Sequence, residues 1–153
     1  MIRKEHLITA SLSSIKATYQ QLSSAPLAMR QGEYKAQFIG PWWLRISAAP
    51  SLFLSGLGGW FGKKFINQNL VTNILLNRGQ RSEKLQMECV EEVSLIDGKQ
   101  TIALHYGETA PIPWRWVVDE LRQFDEHTML CMTIINLPFL KHFSFPFILS
   151  RVV

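Results

Sequence analysis

The spacing of hydrophobic residues divides the chain into a short helical part and a long part of strands. Over residues 4–23, apolar side chains recur at steps of four, three, four and three: Ile8, Leu12, Ile15, Tyr19 and Leu22. Only a helix brings such positions onto one face. The pattern therefore predicts one amphipathic N-terminal helix, ended by the small residues and proline at 23–26, which packs on the rest of the domain.

The remaining chain carries the two-residue period of β-strands. Short apolar segments separated by polar turns occupy residues 33–39, 60–66, 70–77, 83–96, 101–106, 116–124, 129–136 and 145–152. Asp97-Gly98 is the strongest hairpin signal. Residues 116–124 fit a helix or a strand, and the tight turn that follows favours a strand. Residues 41–57 contain two prolines and many apolar residues, which indicates a short helix-like connector.

Seven to nine short antiparallel strands behind one helix are typical of a small barrel. We therefore predict a mainly β fold, an antiparallel up-and-down β-barrel at residues 33–152, within a single domain of residues 1–153. The run Gly56–Phe65 holds four glycines, a tryptophan and two phenylalanines. Glycine tolerates sharp bends and close backbone approach, so this run predicts the mouth or a corner of the barrel.

Composition adds a preference for an apolar cavity or contact surface. The chain has five Trp and nine Phe, a large aromatic content for one domain. Its net charge is +4, but the cations are scattered rather than clustered, so we expect no nucleic-acid partner. Cys89 and Cys131 show no metal-ligand spacing and are expected to be buried thiols without a metal. Because no secretory or membrane-spanning segment is recognisable, we expect a cytoplasmic protein.

Several motifs carry a family resemblance. Phe38-x-Gly40-x-Trp42-Trp43 resembles the G-x-W signature of calycins, the group of lipocalins and fatty-acid-binding proteins. Residues 59–65 are similar to the G-x-W-x-G-K-x-F element of small bacterial GXWXG-type families of unknown function, and residues 119–130 and 145–149 are similar to their later motifs. The resemblance implies that Trp42 lies on the first strand and that Gly40, Trp42 and Arg151 close the barrel. It also implies an apolar ligand, and no reaction.

Six residues are candidates for contact with that ligand: Trp42, Trp60, Lys63, Trp114, Arg115 and Trp116. An arginine between two tryptophans offers cation–π contact and a bidentate fork for a carboxylate. Arg115 or Lys63 would meet an anionic head group of a fatty-acid-like molecule. The alternative for this cluster is that Arg115 pairs with Asp119 or Glu120 and the tryptophans fill the core.

Other functions remain open alternatives. An isomerase, cyclase or lyase would use Arg115, Asp119 and His105 on an apolar carbonyl compound, although no catalytic residue is assigned. An interaction module would expose residues 42–61 to a membrane surface or a partner protein. Haem, bound through His105 or His142 as in nitrobindin-like calycin relatives, is the alternative to having no cofactor.

Overall fold

The computed structural model describes residues 3–152 and shows a closed barrel of eight antiparallel strands. Each strand pairs with the next, and β1 pairs with β8 to close the cylinder. The strands are β1 (Gly32–Phe38), β2 (Trp60–Asn67), β3 (Leu70–Asn77), β4 (Gln80–Val93), β5 (Gln100–His105), β6 (Val117–Asp125), β7 (Thr128–Ile135) and β8 (Ser144–Arg151). The predicted mainly β, up-and-down barrel is therefore confirmed, and the ambiguous segment at 116–124 is a strand.

Three α-helices accompany the barrel: α1 (Lys4–Leu7), α2 (Leu12–Gln20) and α3 (Trp42–Leu54). The helix-like connector predicted at 41–57 is thus a real helix, and it contains Pro50. The single helix predicted over 4–23 is wrong in its continuity. Ser11 interrupts it with an extended backbone and accepts the Ser14 N–H at its side-chain oxygen, so it starts a new helix. No helix within residues 3–152 is long and apolar enough to span a membrane.

Two apolar clusters lie on opposite faces of the strands. The first lies inside the barrel and includes Tyr34, Leu121 and Cys131. The second lies outside the barrel, where Ile15 and Tyr19 of α2 pack against outward-facing side chains of β7 and β8. The apolar face that the N-terminal sequence presents at steps of three and four is therefore buried against the outer wall. Cys89 and Cys131 are both buried and unpaired.

The two ends of the barrel differ. We call one end the mouth, formed by the connections at 39–59, 78–79, 106–116 and 136–143. We call the other end the base, where residues of the segment 25–30 join the interior cluster and cover it. The base is tied down by the Tyr34 hydroxyl, which donates to the Met29 carbonyl at 2.7 Å.

Gly62 permits a close approach between β1 and β2. A Cβ at this position would lie 1.9 Å from the backbone oxygen of Tyr34. The register of β2 against β3 shifts by one residue between Trp60 and Gly62, which is a β-bulge. Strict alternation would place residues three apart on opposite faces. The bulge instead brings Trp60 and Lys63 to the same inner face.

The predicted closing pair of Trp42 and Arg151 is corrected by the register of the seam. Tyr34 pairs with Arg151 and Phe38 with Phe147, so Arg151 lies at the base. Trp42 follows the end of β1, begins α3 at the mouth, and is 67% exposed. The guanidinium of Arg151 instead lies 5.3 Å from the ring centre of Tyr34 and donates to its hydroxyl at 2.8 Å.

Gly40 has a joining role rather than a closing one. It connects β1 to α3 with a φ of +110°, which suits glycine. Its N–H donates to the carbonyl of Ile8, and its own carbonyl accepts a hydrogen bond from the Arg45 side chain. The G-x-W resemblance therefore matched a segment that leaves the barrel instead of a strand within it.

Candidate functional site

A cavity of about 430 Å³ opens at the mouth, between α3 and the ends of the strands. Its walls are mostly apolar and aromatic. The main wall residues are Phe38, Trp43, Leu52, Leu57, Trp60, Trp114, Val117, Ile135, Phe145 and Phe147. At the rim, the side chains of Trp43 and Phe145 are also exposed to solvent. The volume lies within the range of small-molecule pockets, toward the lower end.

Contacting aromatic rings build two sides of the cavity. Trp60 packs between Phe38 and Phe147, with ring centres 5.7 and 5.4 Å away. On the other side, the rings of Tyr106 and Trp114 are 5.1 Å apart. These separations are those of favourable offset and edge-to-face pairs.

Trp114 also holds α3 over the cavity. Its indole N–H donates to the carbonyl oxygen of Ser55, just after the end of the helix, at 2.6 Å. Because this carbonyl has no partner within the helix, the indole satisfies it. The contact couples the position of α3 to the wall of the barrel.

A buried ion pair lies at the floor of the cavity. The Lys63 ammonium is 2.9 Å from Oδ2 of Asp119, and the two side chains are 1% and 4% exposed. The Thr133 hydroxyl donates to the other carboxylate oxygen, Oδ1, at 2.7 Å. The inner polar cluster, as we call it, consists of Lys63, Asn73, Tyr106, Asp119 and Thr133.

Asn73 and Tyr106 complete this cluster. Oδ1 of Asn73 accepts from Lys63 at 3.0 Å and from the Trp60 indole at 3.1 Å. The Asn73 amide donates to the Leu85 carbonyl and to the Tyr106 hydroxyl, both at 3.2 Å. The Tyr106 hydroxyl also accepts from Lys63 at 3.4 Å. Within residues 3–152, no acceptor is in position for the proton of Tyr106, so this donor is free for a molecule in the cavity.

The electrostatics keep Lys63 charged and Tyr106 neutral. Burial disfavours the ammonium, but the Asp119 carboxylate and Tyr106 outweigh it, and the pKa of Lys63 is raised. Burial raises the pKa of Tyr106, with Lys63 opposing this effect and Asp119 adding to it. A protonated lysine is a poor nucleophile. The cluster therefore offers hydrogen bonds more readily than covalent chemistry.

The cluster forms because alternate positions of different strands face inward. Val117, Asp119 and Leu121 of β6 point inside, and Asp119 pairs directly with Thr133 of β7. Lys63 reaches the same place because of the bulge in β2. The apolar run of β3 contributes one inward amide, that of Asn73.

Three of the six predicted ligand-contact residues line the cavity: Trp60, Lys63 and Trp114. The other three do not. Trp42 lies on the outer face of α3, and Trp116 is half-buried beside the cavity wall. Arg115 is exposed, and its guanidinium donates to the Ala110 carbonyl at 3.1 Å rather than to Asp119 or Glu120. The predicted stack of Arg115 between two tryptophans is therefore not assembled around the cavity.

The predicted enzyme residues are also dispersed. Asp119 faces the cavity, but His105 points outward and lies 2.6 Å from Oε1 of Glu92. His142, the other histidine considered for haem, is exposed and does not line the cavity. Among residues 3–152 there is no group of three or more His, Cys, Asp or Glu that could hold a metal ion.

Sequence reasoning missed Asn73, Tyr106 and Thr133, and it assigned Asp119 to the enzyme alternative or to a pair with Arg115, not to ligand contact. A weak signal existed for Asn73, since one amide interrupts the apolar run of β3. An unpaired amide inside a core is costly, so a partner is required. Which strand supplies the partner depends on register, and local sequence does not encode it.

The comparisons with known proteins define the fold only. No protein-family model matches the sequence, and the search of curated proteins gives no significant match. One solved structure, a crystal structure of a protein from Thermomonospora curvata, is similar with a TM-score of 0.71 and 17% sequence identity. The similarity covers 95% of this chain and 90% of that chain. The chain is therefore an eight-stranded antiparallel barrel with a solved structural neighbour.

Proposed function

We propose that the protein binds a small apolar or amphipathic molecule in the mouth cavity without transforming it. The ligand would place its apolar part between Trp60, Phe147 and Trp114, and a polar group against the inner polar cluster. The observation that carries this proposal is the free hydroxyl proton of Tyr106 at the floor of a mostly apolar cavity. The closed eight-stranded barrel, with its cavity open at one end, is consistent with the same class of function.

The inner polar cluster favours a neutral head group, such as a hydroxyl or a carbonyl. The charge of Lys63 is already balanced by Asp119 at 2.9 Å. A ligand carboxylate would therefore approach a neutral pair whose acidic member repels it. Arg115, the other predicted partner of an anionic head group, lies outside the cavity. A carbonyl oxygen can instead accept from Tyr106, and a hydroxyl can also donate to a free lone pair of Asp119.

Displacement of a fluorescent dye tests both parts of this proposal. Nile red, which is neutral and apolar, is the probe, and its binding is followed by quenching of tryptophan emission, to which Trp43, Trp60 and Trp114 at the cavity would contribute. Decanol, decanal and decanoic acid then compete at neutral pH. We expect decanol and decanal to displace the dye at roughly tenfold lower concentration than decanoate, since one net hydrogen bond is worth about that factor.

Two neighbouring alanines of α3 provide matched variants. Ala48 lines the cavity, whereas Ala49 is exposed on the other face of the helix. Ala48→Trp should abolish dye binding by filling the cavity, and Ala49→Trp should leave it unchanged. Dye binding that is equal in both variants would refute binding in this cavity. Stronger competition by decanoate than by decanol would refute the neutral head group.

A further inference from the structure

Helix α3 is apolar on its solvent-facing side as well as on the side toward the cavity. Its outward side chains Trp42, Ile46, Phe53 and Leu54 are 67, 68, 72 and 86% exposed. The side toward the cavity carries Trp43, Leu44, Ala48 and Leu52, with Ser47, Ser51 and, just after the helix, Ser55 beside them. Surface helices normally bury the apolar face and expose the polar one. The barrel therefore partly covers one apolar side of α3 and gives the outward apolar side no partner.

The other connections at the mouth extend this exposed apolar face. They contribute Ile112, Phe139, Leu140 and Phe143, and the start of β8 adds Phe145, with exposed fractions between 37% and 83%. Together with the outward side chains of α3, these residues form what we call the mouth surface. The mouth surface adjoins the cavity directly, because the exposed rim residues Trp43 and Phe145 also line the cavity. Exposed apolar patches of this kind mark interaction sites in soluble proteins.

The charge at the mouth is predominantly positive. The four connections at this end carry Arg45, Arg78, Arg115 and Lys141 against a single carboxylate, Glu108. Among the described residues, none of these four cations forms a salt bridge with a carboxylate. The mouth surface therefore combines apolar and aromatic side chains with cations that lack an internal counter-charge.

We propose that the mouth surface docks on the surface of an anionic lipid bilayer. Tryptophan side chains prefer the boundary between lipid and water, and in the docked protein Trp42 and Trp43 would lie at this boundary. Cations beside the apolar patch would meet anionic headgroups, each contributing to attraction. Helix α3 would lie in the interface as an interfacial helix does, and the protein would rest on the membrane without spanning it.

A second copy of the chain fits this surface less well than a bilayer does. In a two-fold symmetric dimer the same patch meets itself. Arg45, Arg115 and Lys141 of both copies would then face each other, with only Glu108 to offset them. A bilayer containing anionic lipid supplies the opposite charge instead.

Docking in this orientation would place the cavity opening against the lipid. Resting on the function proposed above, an apolar ligand would pass between bilayer and cavity without crossing water. The docking itself does not depend on a ligand, so the two proposals can fail separately.

Vesicle flotation of the full chain tests the docking. The vesicles consist of phosphatidylcholine alone or of phosphatidylcholine mixed with phosphatidylglycerol. The mouth variant is Ile46→Ser/Leu54→Ser/Phe139→Ser, which changes three side chains that are at least two-thirds exposed. The base variant Leu27→Ser/Val93→Ser/Leu95→Ser changes three exposed apolar residues at the other end and serves as the matched control.

We expect the wild type to float with the mixed vesicles, more weakly with phosphatidylcholine alone, and less at high salt. The mouth variant should partition on the order of a thousandfold more weakly, since each of the three apolar side chains removed contributes about tenfold. The base variant should float like the wild type. Lys141→Glu should lower the preference for phosphatidylglycerol without affecting thermal unfolding.

Several outcomes would overturn the docking. The wild type would then fail to float with vesicles of either composition, or the mouth variant would float as well as the wild type. A base variant whose flotation falls as much as that of the mouth variant would overturn it too. A wild-type dimer that the mouth variant dissociates, without flotation, would assign the surface to a second copy. Nile red binding in vesicle-free buffer separates the proposals: dye binding without flotation overturns only the docking, and flotation without dye binding overturns only the ligand function.

Discussion

Strand β6 carries two buried polar clusters, one on each face, and they differ in what surrounds them. Its inward residue Asp119 belongs to the inner polar cluster at the floor of the cavity. Its outward residues Glu120 and Arg122 lie beneath α2, outside the barrel wall. We call this second group the outer polar cluster; its members are Tyr19, Ser94, Asp97, Thr101, Glu120 and Arg122.

The outer polar cluster joins the N-terminal segment to the barrel. The Glu120 carboxylate accepts from the hydroxyls of Tyr19 at 2.8 Å and Ser94 at 2.6 Å. Arg122 is fully buried and binds both oxygens of Asp97 at 2.6 and 2.8 Å. It also donates to the carbonyl of Tyr19 and lies 4.3 Å from the centre of its ring. Such bidentate pairs are strong and geometrically specific.

The two polar clusters of β6 differ in their role: the outer one stabilises the fold, and the inner one faces the cavity where a ligand would bind. The outer polar cluster is covered by protein, and its carboxylates bind other parts of the same chain. The inner polar cluster faces an open cavity, and the Tyr106 hydroxyl has a proton without an acceptor among the described residues. Similar buried groups therefore hold the fold together on one face and are available to a ligand on the other.

Removal of Arg122 should have the largest effect on stability. Arg122→Leu leaves Asp97 without its partner and cuts the contact with α2, so the free energy of unfolding should fall by about 3–5 kcal/mol. Urea denaturation measures this loss. The double variant Arg122→Leu/Asp97→Leu should recover part of it, because no unpaired charge remains. A loss below about 1 kcal/mol would refute the structural role of the outer polar cluster.

Removal of Lys63 should have a smaller effect, although this residue is equally buried. In Lys63→Met the buried Asp119 carboxylate keeps its hydrogen bond from Thr133, and water can enter the cavity beside it, so the free energy of unfolding should fall by about 1–3 kcal/mol. The double variant Lys63→Met/Asp119→Leu should be close to the wild type, while its preference for decanol over decanoate should be lost. If Lys63→Met proves costlier than Arg122→Leu, the proposed distinction between the two clusters is wrong.

The outer polar cluster should also give a pH dependence in acid. The hydrogen bond from Arg122 lowers the pKa of Asp97 from its ordinary value of 3.8 to about 2. Between these values the unfolded chain binds the proton and the folded chain does not, so stability rises with pH. The contribution is complete above about pH 4, and about 2 kcal/mol is lost as the pH falls through about 2.

Urea denaturation of the wild type and Asp97→Asn across this range isolates the effect. Because the amide introduced by this substitution does not titrate, the difference in stability between the two proteins should shrink as the solution is acidified. A difference that is constant with pH would show that Arg122 does not perturb Asp97.

The smallest effects come from a pair of tyrosines, one in each cluster. Tyr106→Phe should weaken decanol binding about tenfold and change the free energy of unfolding by less than about 1 kcal/mol. Tyr19→Phe should lower the free energy of unfolding by about 1 kcal/mol and leave decanol binding unchanged. Dye displacement and urea denaturation on the same samples measure both quantities. If Tyr19→Phe weakened decanol binding and Tyr106→Phe lowered the free energy of unfolding instead, the roles given to the two faces of β6 would be reversed.

Much of the fold could be predicted because its signals are local. Alternation, turn residues and the Asp97-Gly98 hairpin identified the strands within a few residues of their observed bounds. The helical spacing of Ile15 and Tyr19 correctly indicated a buried face, but it did not reveal the break at Ser11. A cap of this kind depends on one side-chain hydrogen bond, which a hydrophobic pattern does not register.

The site was only partly predictable, since its members come from several strands. Trp60, Lys63 and Trp114 were identified from aromatic and cationic composition, and they do line the cavity. Trp42 was placed on a strand by a short motif, but the motif lies where the chain leaves the barrel. A motif of three residues specifies local composition and does not specify the register that determines which partners meet.

The amino-acid sequence by itself determined the element types and the presence of a closed, aromatic-rich barrel, because period and turn chemistry act between near neighbours. Only the tertiary structure decided that Lys63 meets Asp119, that Arg151 meets Tyr34 and that α3 exposes its apolar side. These outcomes depend on a bulge in β2 and on the register of strands distant in sequence. A shift of one residue exchanges the inner and outer faces of a strand, so small geometric changes far from the site select its chemistry.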